Sequence, residues 1–289
     1  MEKKKKKWRL NKNFLPGLAM VGPTGLWMIA FMLLPLIYVI AISFMTKGLF
    51  GGVVWTPTLK NYQDIINPVY GKVCLKSLKI ALLTTLFSLL VSYPFAYALS
   101  KVKKRWKSIC MLLIMVPFWI NGLLRLNGWV TIFRETGPLN TLLTKLGLPA
   151  LNFMYTETAI VFGMVYTFMP FMVLPIHTSI SKLDSTLLEA ASDLGATKLH
   201  TFLRVILPLT FPGIFAGSIQ VFIPSLGAFF ISDIMGGGNT MLLGNLIKNQ
   251  YLNARNWPSG AAFSVLLIVF TLVVMQIYTR LGGDMDEMV

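Results

Sequence analysis

Six long segments of the sequence contain no charged residue, and this pattern limits the possible folds more than any other feature. A membrane-spanning helix needs about 20 mainly apolar residues, and it satisfies its own backbone hydrogen bonds where water is absent. Strands of a membrane barrel would be about half as long and would alternate in polarity. The sequence therefore predicts an all-α polytopic membrane protein with six transmembrane helices. The predicted spans are approximately residues 23–45, 80–100, 108–124, 158–181, 205–232 and 256–279.

The composition agrees with a membrane protein. Only 13% of the residues are charged, whereas about a quarter is usual in soluble domains. The net charge of +15 could indicate nucleic-acid binding, but 12 of the 26 basic residues lie in two clusters, at 3–12 and 101–107, each beside an apolar segment. Such clusters are typical of contacts with anionic membrane lipid. We therefore predict lipid contact and no nucleic-acid partner.

The basic residues also predict the orientation. With the N-terminus inside, the inner segments carry 16 Lys and Arg residues and the outer segments carry 10, as expected for cytoplasmic termini. The outer lysines Lys72, Lys76 and Lys79 argue mildly against this orientation. The charge-free run from Asn13 to Thr46 is much longer than a signal-peptide core, so we expect it to remain as a span. The predicted divisions are a basic cytoplasmic tail at 1–13, the first span and outer loop at 14–75, the transmembrane core at 76–280 and a cytoplasmic tail at 281–289.

Prolines occur in nearly every predicted span. Each removes a backbone donor and tends to kink its helix. Two interpretations remain open: fixed kinks that improve packing, or hinges and broken helices that line a pathway. The prolines concerned are Pro35, Pro94, Pro117, Pro170, Pro175, Pro208, Pro212 and Pro224.

A short polar helix is predicted in the longest inner loop, at about 184–203. Asp184 is a suitable N-cap, and a capping box from Thr186 to Glu189 is the alternative. Gly195 can adopt the left-handed conformation that ends a helix. Such a short helix is not stable alone, so it must pack against its own bundle or against a partner. On the predicted helix, one face is apolar and consists of Leu187, Ala191 and Leu194. Another face is acidic and carries Glu189 and Asp193.

The stretch EAASDLGATKLHTFLRVILP resembles the signature of inner-membrane permease subunits of binding-protein-dependent ABC importers of type I. Val205 departs mildly, because isoleucine is usual there. The resemblance implies that this segment is a coupling helix that fits a cleft in a cytoplasmic ATPase subunit. The signature residues present are Glu189, Ala190, Ala191, Gly195, Leu207 and Pro208. The implied coupling residues are Glu189, Ala190, Ala191, Asp193 and Gly195.

No phosphate-binding loop of the form GxxxxGK[ST] occurs in the sequence, and GGGNT at 236–240 lacks the required lysine. We therefore expect no cofactor and no catalysis in this chain, with ATP and Mg²⁺ bound by separate subunits. The resemblance implies a second homologous permease, two ATP-binding subunits and an extracytoplasmic binding protein as partners in a bacterial cytoplasmic membrane.

Three further stretches resemble permeases of spermidine/putrescine importers: VPFWINGLLRLNGW (116–129), PFMVLPIHTSISKLD (170–184) and FFISDIMGGGNTMLLGNLIKNQYL (229–252). The resemblance implies polyamine import, although permeases for iron, phosphonate or sulfate share much of this scaffold. Paired carboxylates within the spans would favour a secondary transporter. A membrane enzyme would need a nucleophile with a base, or a metal cluster. The sequence shows neither.

A protonated polyamine is a flexible cation, so a path for it would use aromatic faces and a few carboxylates. The candidate path residues are Trp119, Asn121, Tyr166, Phe229 and Asp233. Alternatively, the aromatic residues face lipid, and Asp233 caps a helix or pairs with Arg125 or Lys248. Arg125 itself is a candidate ion-pair partner or gate element.

Overall fold

The computed structural model describes residues 14–280, and most of them are helical. The first half contains a β-hairpin, a 3₁₀ turn and six helices: α1 (Phe14–Ser43), β1 (Met45–Lys47), β2 (Val53–Pro57), α2 (Lys60–Ile65), α3 (Pro68–Lys101), α4 (Lys104–Met115), the 3₁₀ turn Val116–Trp119, α5 (Gly122–Phe133) and α6 (Pro138–Lys145). The second half contains a π-helical turn and eight helices: α7 (Glu157–Ser181), α8 (Ser185–Asp193), α9 (Lys198–Thr201), the π turn Phe202–Ile206, α10 (Leu207–Leu209), α11 (Phe211–Gly227), α12 (Phe229–Gly236), α13 (Leu243–Leu252) and α14 (Trp257–Arg280). The tails predicted at 1–13 and 281–289 lie outside the described residues.

Four helices within the described chain are long and apolar enough to span a membrane without a break: Val21–Ser43, Pro68–Lys101, Glu157–Ser181 and Trp257–Arg280. Two further spans consist of bent helix pairs. The predicted number of six is reached when each bent pair counts as one span.

The two bends fall within the spans predicted at 108–124 and 205–232, and they favour the interpretation of broken helices there. The first bend is 95°, between Arg105–Trp119 and Gly122–Lys145; the second is 63°, between Lys198–Leu209 and Phe211–Gly227. Pro117 lies in the 3₁₀ turn before the first bend, where helices commonly break. Both prolines near the second bend occupy the first turn of a helix, where no donor is lost.

Prolines in the unbroken parts fit fixed kinks. Pro94 and Pro170 lie inside α3 and α7, and Pro224 lies inside α11. The prolines therefore have two structural roles. Within residues 14–280, those near Trp119 and Thr210 accompany the two sharp bends, whereas the prolines named above lie inside continuous helices.

The core of the bundle forms where α7 packs against α3 and α11. Glycines allow α11 to approach α7 closely: a Cβ added at Gly213 would lie 2.5 Å from Ser179 Cβ and 2.6 Å from the Pro175 carbonyl oxygen. The hydroxyls of Tyr93 and Thr210, 2.9 Å apart, connect α3 to the second bend. The close approach of α11 to α7 and the hydrogen bond between Tyr93 and Thr210 thus fix the position of the second bent span.

α3 begins twelve residues before the predicted start of the second span, so the division predicted between 75 and 76 falls inside a helix. The lysines at 72, 76 and 79 lie on its first turns. Two of them pair with Glu157 at the start of α7, with nitrogen–oxygen distances of 3.0 Å from Lys76 and 3.2 Å from Lys79. One carboxylate therefore pairs with two of the three lysines that argued against the predicted orientation.

A β-hairpin follows α1 and was not predicted. Its base is fixed by Asn61, whose side-chain amide donates to the backbone carbonyls of Ser43 and Met45 at 2.9 and 2.8 Å. Its tip contacts the turn before α14, where the Gly52 N–H donates to the Arg255 carbonyl. The hairpin thus connects one end of α1 to the start of α14, which is also the main packing partner of α1.

Candidate functional site

The helix predicted at about 184–203 is present as α8, but it is shorter, and α9 follows as a separate helix. Asp184 is the N-cap: its carboxylate accepts a hydrogen bond from the Thr186 N–H at 3.0 Å. The alternative capping box from Thr186 to Glu189 is therefore wrong. Because this hydrogen bond favours the ionised form, it lowers the pKa of Asp184 below its ordinary value.

Gly195 ends α8 as predicted, with a φ of +75°. Two backbone hydrogen bonds form the Schellman pattern: the Ala196 N–H donates to the Ala191 carbonyl at 3.0 Å, and the Gly195 N–H donates to the Ser192 carbonyl at 2.9 Å. A Cβ at Gly195 would meet nothing within 4 Å. The glycine is therefore required by the backbone conformation and not by crowding.

The surface of α8 is largely uncovered by this chain. None of its residues is buried, and it packs mainly on α9 and the π turn. Leu187 is 47% exposed, and Leu194 at its C-terminal end is 88% exposed. Glu189, Ala190 and Asp193 are exposed too. The predicted apolar face is thus available to a partner, because the protein's own bundle does not cover it.

A second group of polar residues joins α12 to α13; we call Phe229, Asp233, Asn245 and Lys248 the α12–α13 cluster. Asp233 accepts hydrogen bonds from the Asn245 side-chain amide at 2.7 Å and from Lys248 Nζ at 2.5 Å. Lys248 Nζ also lies 5.6 Å from the centroid of the Phe229 ring. The alternatives predicted for Asp233 were a helix cap and an ion pair with Arg125 or Lys248. The structure shows the ion pair with Lys248.

The other candidate path residues lie on three different elements. Trp119 ends the 3₁₀ turn and is 79% exposed. Asn121 is the N-cap of α5, and its side-chain oxygen accepts from the Leu123 N–H at 2.8 Å. Tyr166, on α7, packs edge-on against Trp129 with centroids 5.5 Å apart. The structure therefore brings Phe229 and Asp233 together but does not bring all five residues into one group.

Sequence analysis did not identify Asn245, which is 4% exposed and connects three groups. Its side-chain amide donates to Asp233 and to the Phe229 carbonyl at 3.1 Å, and its side-chain oxygen accepts from the Leu242 N–H at 3.1 Å. Leu242 stands at the N-cap position and has no side-chain acceptor, so no capping pattern in the sequence pointed to Asn245. Within residues 14–280, no group of three His, Cys, Asp or Glu residues is placed to hold a metal ion.

These features define a polytopic helical membrane protein with an exposed helix between two spans. The family described as binding-protein-dependent transport system inner membrane component matches residues 85–286. The chain belongs to this family, which confirms the family predicted from the sequence signature.

Two similar proteins are named spermidine/putrescine transport system permease protein PotB. The one from Escherichia coli (strain K12) is 43% identical over 265 residues, which cover 91% of this chain and 96% of that protein. The one from Haemophilus influenzae is 40% identical over 256 residues, which cover 88% and 90% respectively. The predicted resemblance to permeases of this kind is thus confirmed.

A similar fold occurs in the crystal structure of a bacterial alginate ABC transporter in complex with an alginate pentasaccharide-bound periplasmic protein. The TM-score is 0.79, and the match covers 96% of this chain and 97% of that chain at 16% identity. At this identity the likeness shows the fold alone. The fold is that of an ABC importer transmembrane subunit, as predicted.

Proposed function

We propose that this chain is a permease subunit of an ATP-driven spermidine/putrescine importer in a bacterial cytoplasmic membrane. The relatives named as spermidine/putrescine permeases, which match over about nine-tenths of the chain, support the substrate class. The chain pairs with a second homologous permease, and an extracytoplasmic binding protein delivers the polyamine. Two ATP-binding subunits carry ATP and Mg²⁺, so this chain itself is not catalytic.

The exposure of α8 is the observation that carries the coupling role. A helix this short gains little stability by itself, and Leu187 and Leu194 remain exposed on it. A cleft in an ATPase subunit that covers these leucines would stabilise the docked helix. Ala190 and Ala191 permit close approach, and Glu189 and Asp193 offer charged contacts. Gly195 fixes the direction in which the chain leaves the helix.

This role places α8 and both termini in the cytoplasm. The basic clusters at 3–12 and 101–107 support the orientation. Lys76 and Lys79, which pair with Glu157, then lie at the opposite face. The transport core is the bundle predicted at 76–280, extended to the start of α3 at Pro68.

The α12–α13 cluster is our candidate for a polyamine contact on the path. The side chain of Lys248 is a four-carbon alkyl stem that ends in an ammonium group, which is the chemistry of one end of putrescine. Its ammonium contacts both a carboxylate and an aromatic face. A polyamine ammonium can replace Lys248 at Asp233 and Phe229 without a new type of contact. Trp119, Asn121 and Tyr166 would contribute nearby surfaces of the path.

The function is tested by uptake of radiolabelled spermidine in import-deficient cells that carry the complete transporter. We expect intact cells to accumulate spermidine. Gly195→Asp should abolish uptake, because it strains the left-handed turn and alters the docking surface. Gly147→Asp is the matched control: Gly147 also has a positive φ, of +74°, and open space around it, but it lies in the loop after α6. This control should retain uptake.

Each failure has a distinct meaning. If the subunits assemble and hydrolyse ATP but no spermidine enters, the polyamine assignment is wrong and the importer assignment survives. If uptake continues after the ATPase subunits are removed, the chain belongs to a transporter driven by an ion gradient. If the two glycine variants behave alike, α8 has no special role in coupling.

A further inference from the structure

Arg125 places a positive charge between two aromatic rings near the first bend. Its guanidinium carbon Cζ lies 5.3 Å from the centroid of Phe118 and 5.6 Å from the centroid of Tyr166. Both distances are within the range of cation–π attraction, which is about 6 Å. The three side chains come from the 3₁₀ turn, α5 and α7, so the tertiary fold and not local sequence forms this aromatic cation site.

Arg125 has no carboxylate within ion-pair distance among residues 14–280. Its Nε atom is buried and has no hydrogen-bond partner there. An uncompensated charge and an unpaired donor are both unfavourable in an apolar bundle. Lys248 differs, because the carboxylate of Asp233 compensates its charge. The described bundle therefore supplies neither a carboxylate nor a partner for the buried Nε of this partly exposed side chain.

The surroundings of Arg125 connect it to the candidate path. A Cβ added at Gly122 would lie 3.8 Å from Arg125 Nη2 and 3.8 Å from the Phe230 ring, so Gly122 neighbours both the guanidinium and the residue that follows Phe229. Phe118 also lines a cavity of about 150 Å³ with Trp119 and Phe171. Arg125 thus contacts a residue that lines this cavity, and its helix α5 packs against α12, which carries Phe229 and Asp233.

We propose that Arg125 determines cation selectivity in the transporter. Its guanidinium occupies the aromatic cation site of Phe118 and Tyr166 between transport cycles, and its uncompensated charge repels every approaching cation, so a small monovalent ion, which has no second charged group to bind elsewhere, is excluded. A polyamine carries several ammonium groups on one chain. One of these groups can displace the guanidinium from the rings while another is held at Asp233. This proposal rests on the proposed polyamine function.

The test uses the complete transporter in proteoliposomes and measures two quantities. The first is passive efflux of rubidium ions without ATP, and the second is ATP-driven uptake of spermidine. Arg125→Gln removes the charge, and Arg125→Lys keeps it. Arg134→Gln is the matched control, because it removes an exposed arginine from the C-terminal end of the same helix.

We expect Arg125→Gln to raise rubidium efflux about tenfold or more, as expected when a barrier of about 1.4 kcal/mol is lost. Arg125→Lys and Arg134→Gln should keep efflux at the level of the unchanged protein. If Arg125→Gln fails to assemble, Arg125→Met takes its place, since it retains an apolar stem. Efflux that does not rise in the assembled neutral variant, or that rises equally in Arg125→Lys, overturns the proposal.

The rubidium measurement is independent of the transported solute. If the unchanged transporter takes up no spermidine, the polyamine function fails. Arg125 is then still assigned or rejected as a barrier to small cations by the rubidium efflux alone.

Discussion

α8 and the α12–α13 cluster are both polar, but different kinds of contact hold them. The ends of α8 are fixed by hydrogen bonds between residues close in sequence, such as that from Thr186 to Asp184. In the α12–α13 cluster, Asn245 and Lys248 reach Asp233 from a different helix. The backbone N–H of Leu243, beside this cluster, donates to the Ser77 hydroxyl of α3 at 2.7 Å.

This difference fits two different tasks. A helix that is ordered by local contacts leaves its surface free, so a partner can cover it without breaking contacts in the bundle. A cluster that is ordered by long-range contacts holds its own shape, as a site for a flexible ligand requires. We therefore expect substitutions in the α12–α13 region to affect stability more than substitutions around α8.

The largest effect is expected at Gly244, at the start of α13. A Cβ there would lie 2.5 Å from the Gly227 carbonyl oxygen, so alanine forces α13 away from the junction of α11 and α12. We expect Gly244→Ala to reduce the free energy of unfolding by up to about 3 kcal/mol, measured by thermal unfolding of the purified transporter.

Gly128→Ala is the control for that change. Gly128 lies within α5 and has nothing within 4 Å of an added Cβ, so alanine should stabilise the helix by up to about 1 kcal/mol. Equal stability of the two variants would contradict the close approach seen at Gly244.

An intermediate effect on stability is expected for the ion pair between Asp233 and Lys248. Asp233→Asn, Lys248→Met and the double variant form a thermodynamic cycle, and we expect a coupling energy of about 1 kcal/mol or less. The modest value reflects the partial exposure of both side chains, 36% for Asp233 and 26% for Lys248. Additive changes in unfolding free energy would show that the pair does not stabilise the cluster.

The same variants also test the functional role of the α12–α13 cluster through spermidine uptake. Asp233→Asn should reduce spermidine uptake more than Lys248→Met, because it removes the carboxylate that the substrate would contact, whereas Lys248→Met removes only a competitor. The opposite order would exclude Asp233 as the polyamine contact.

The smallest effect is expected at Asp184. Because the folded pKa of this carboxyl group is lowered, its cap contributes fully above the ordinary pKa of about 3.9 and is lost as the pH falls through the folded value. Asp184→Asn should retain a cap without this pH dependence, and Asp184→Ala should lose the cap at every pH.

Hydrogen exchange of the Thr186 amide, expressed as a protection factor, measures these differences. We expect a several-fold loss of protection in the alanine variant at neutral pH. Equal protection in the aspartate, asparagine and alanine proteins would show that the cap does not order the helix.

Local and compositional signals allowed much of the fold to be predicted. An absence of charge over about 20 residues indicates a span, and Asp184 and Gly195 act on backbone groups within a few residues of themselves. The early start of α3 was missed because three lysines interrupt the apolar run. Their spacing of four and three residues places them on one helix face, which was the available signal.

The remaining errors depend on contacts between distant residues. No local pattern shows that Lys248, and not Arg125, pairs with Asp233, because the choice depends on how α5, α12 and α13 pack. A break near Trp119 was one of the two interpretations left open for Pro117, but the charge-free run continues through the bend and does not show its position. Pro117 followed by Asn121, a good helix N-cap, was the signal for a second helix.

The packing of α1 against α14 has a consequence for the order of events during synthesis. The ribosome makes α1 long before α14, so α1 enters the bilayer without its main partner in this chain. During this interval, α3, α7 and α11 can assemble without α1, because the core forms among these three helices. α1 can therefore complete its packing within this chain only after synthesis of α14 and the turn at Arg255, which supply its packing surface and the contact for the hairpin.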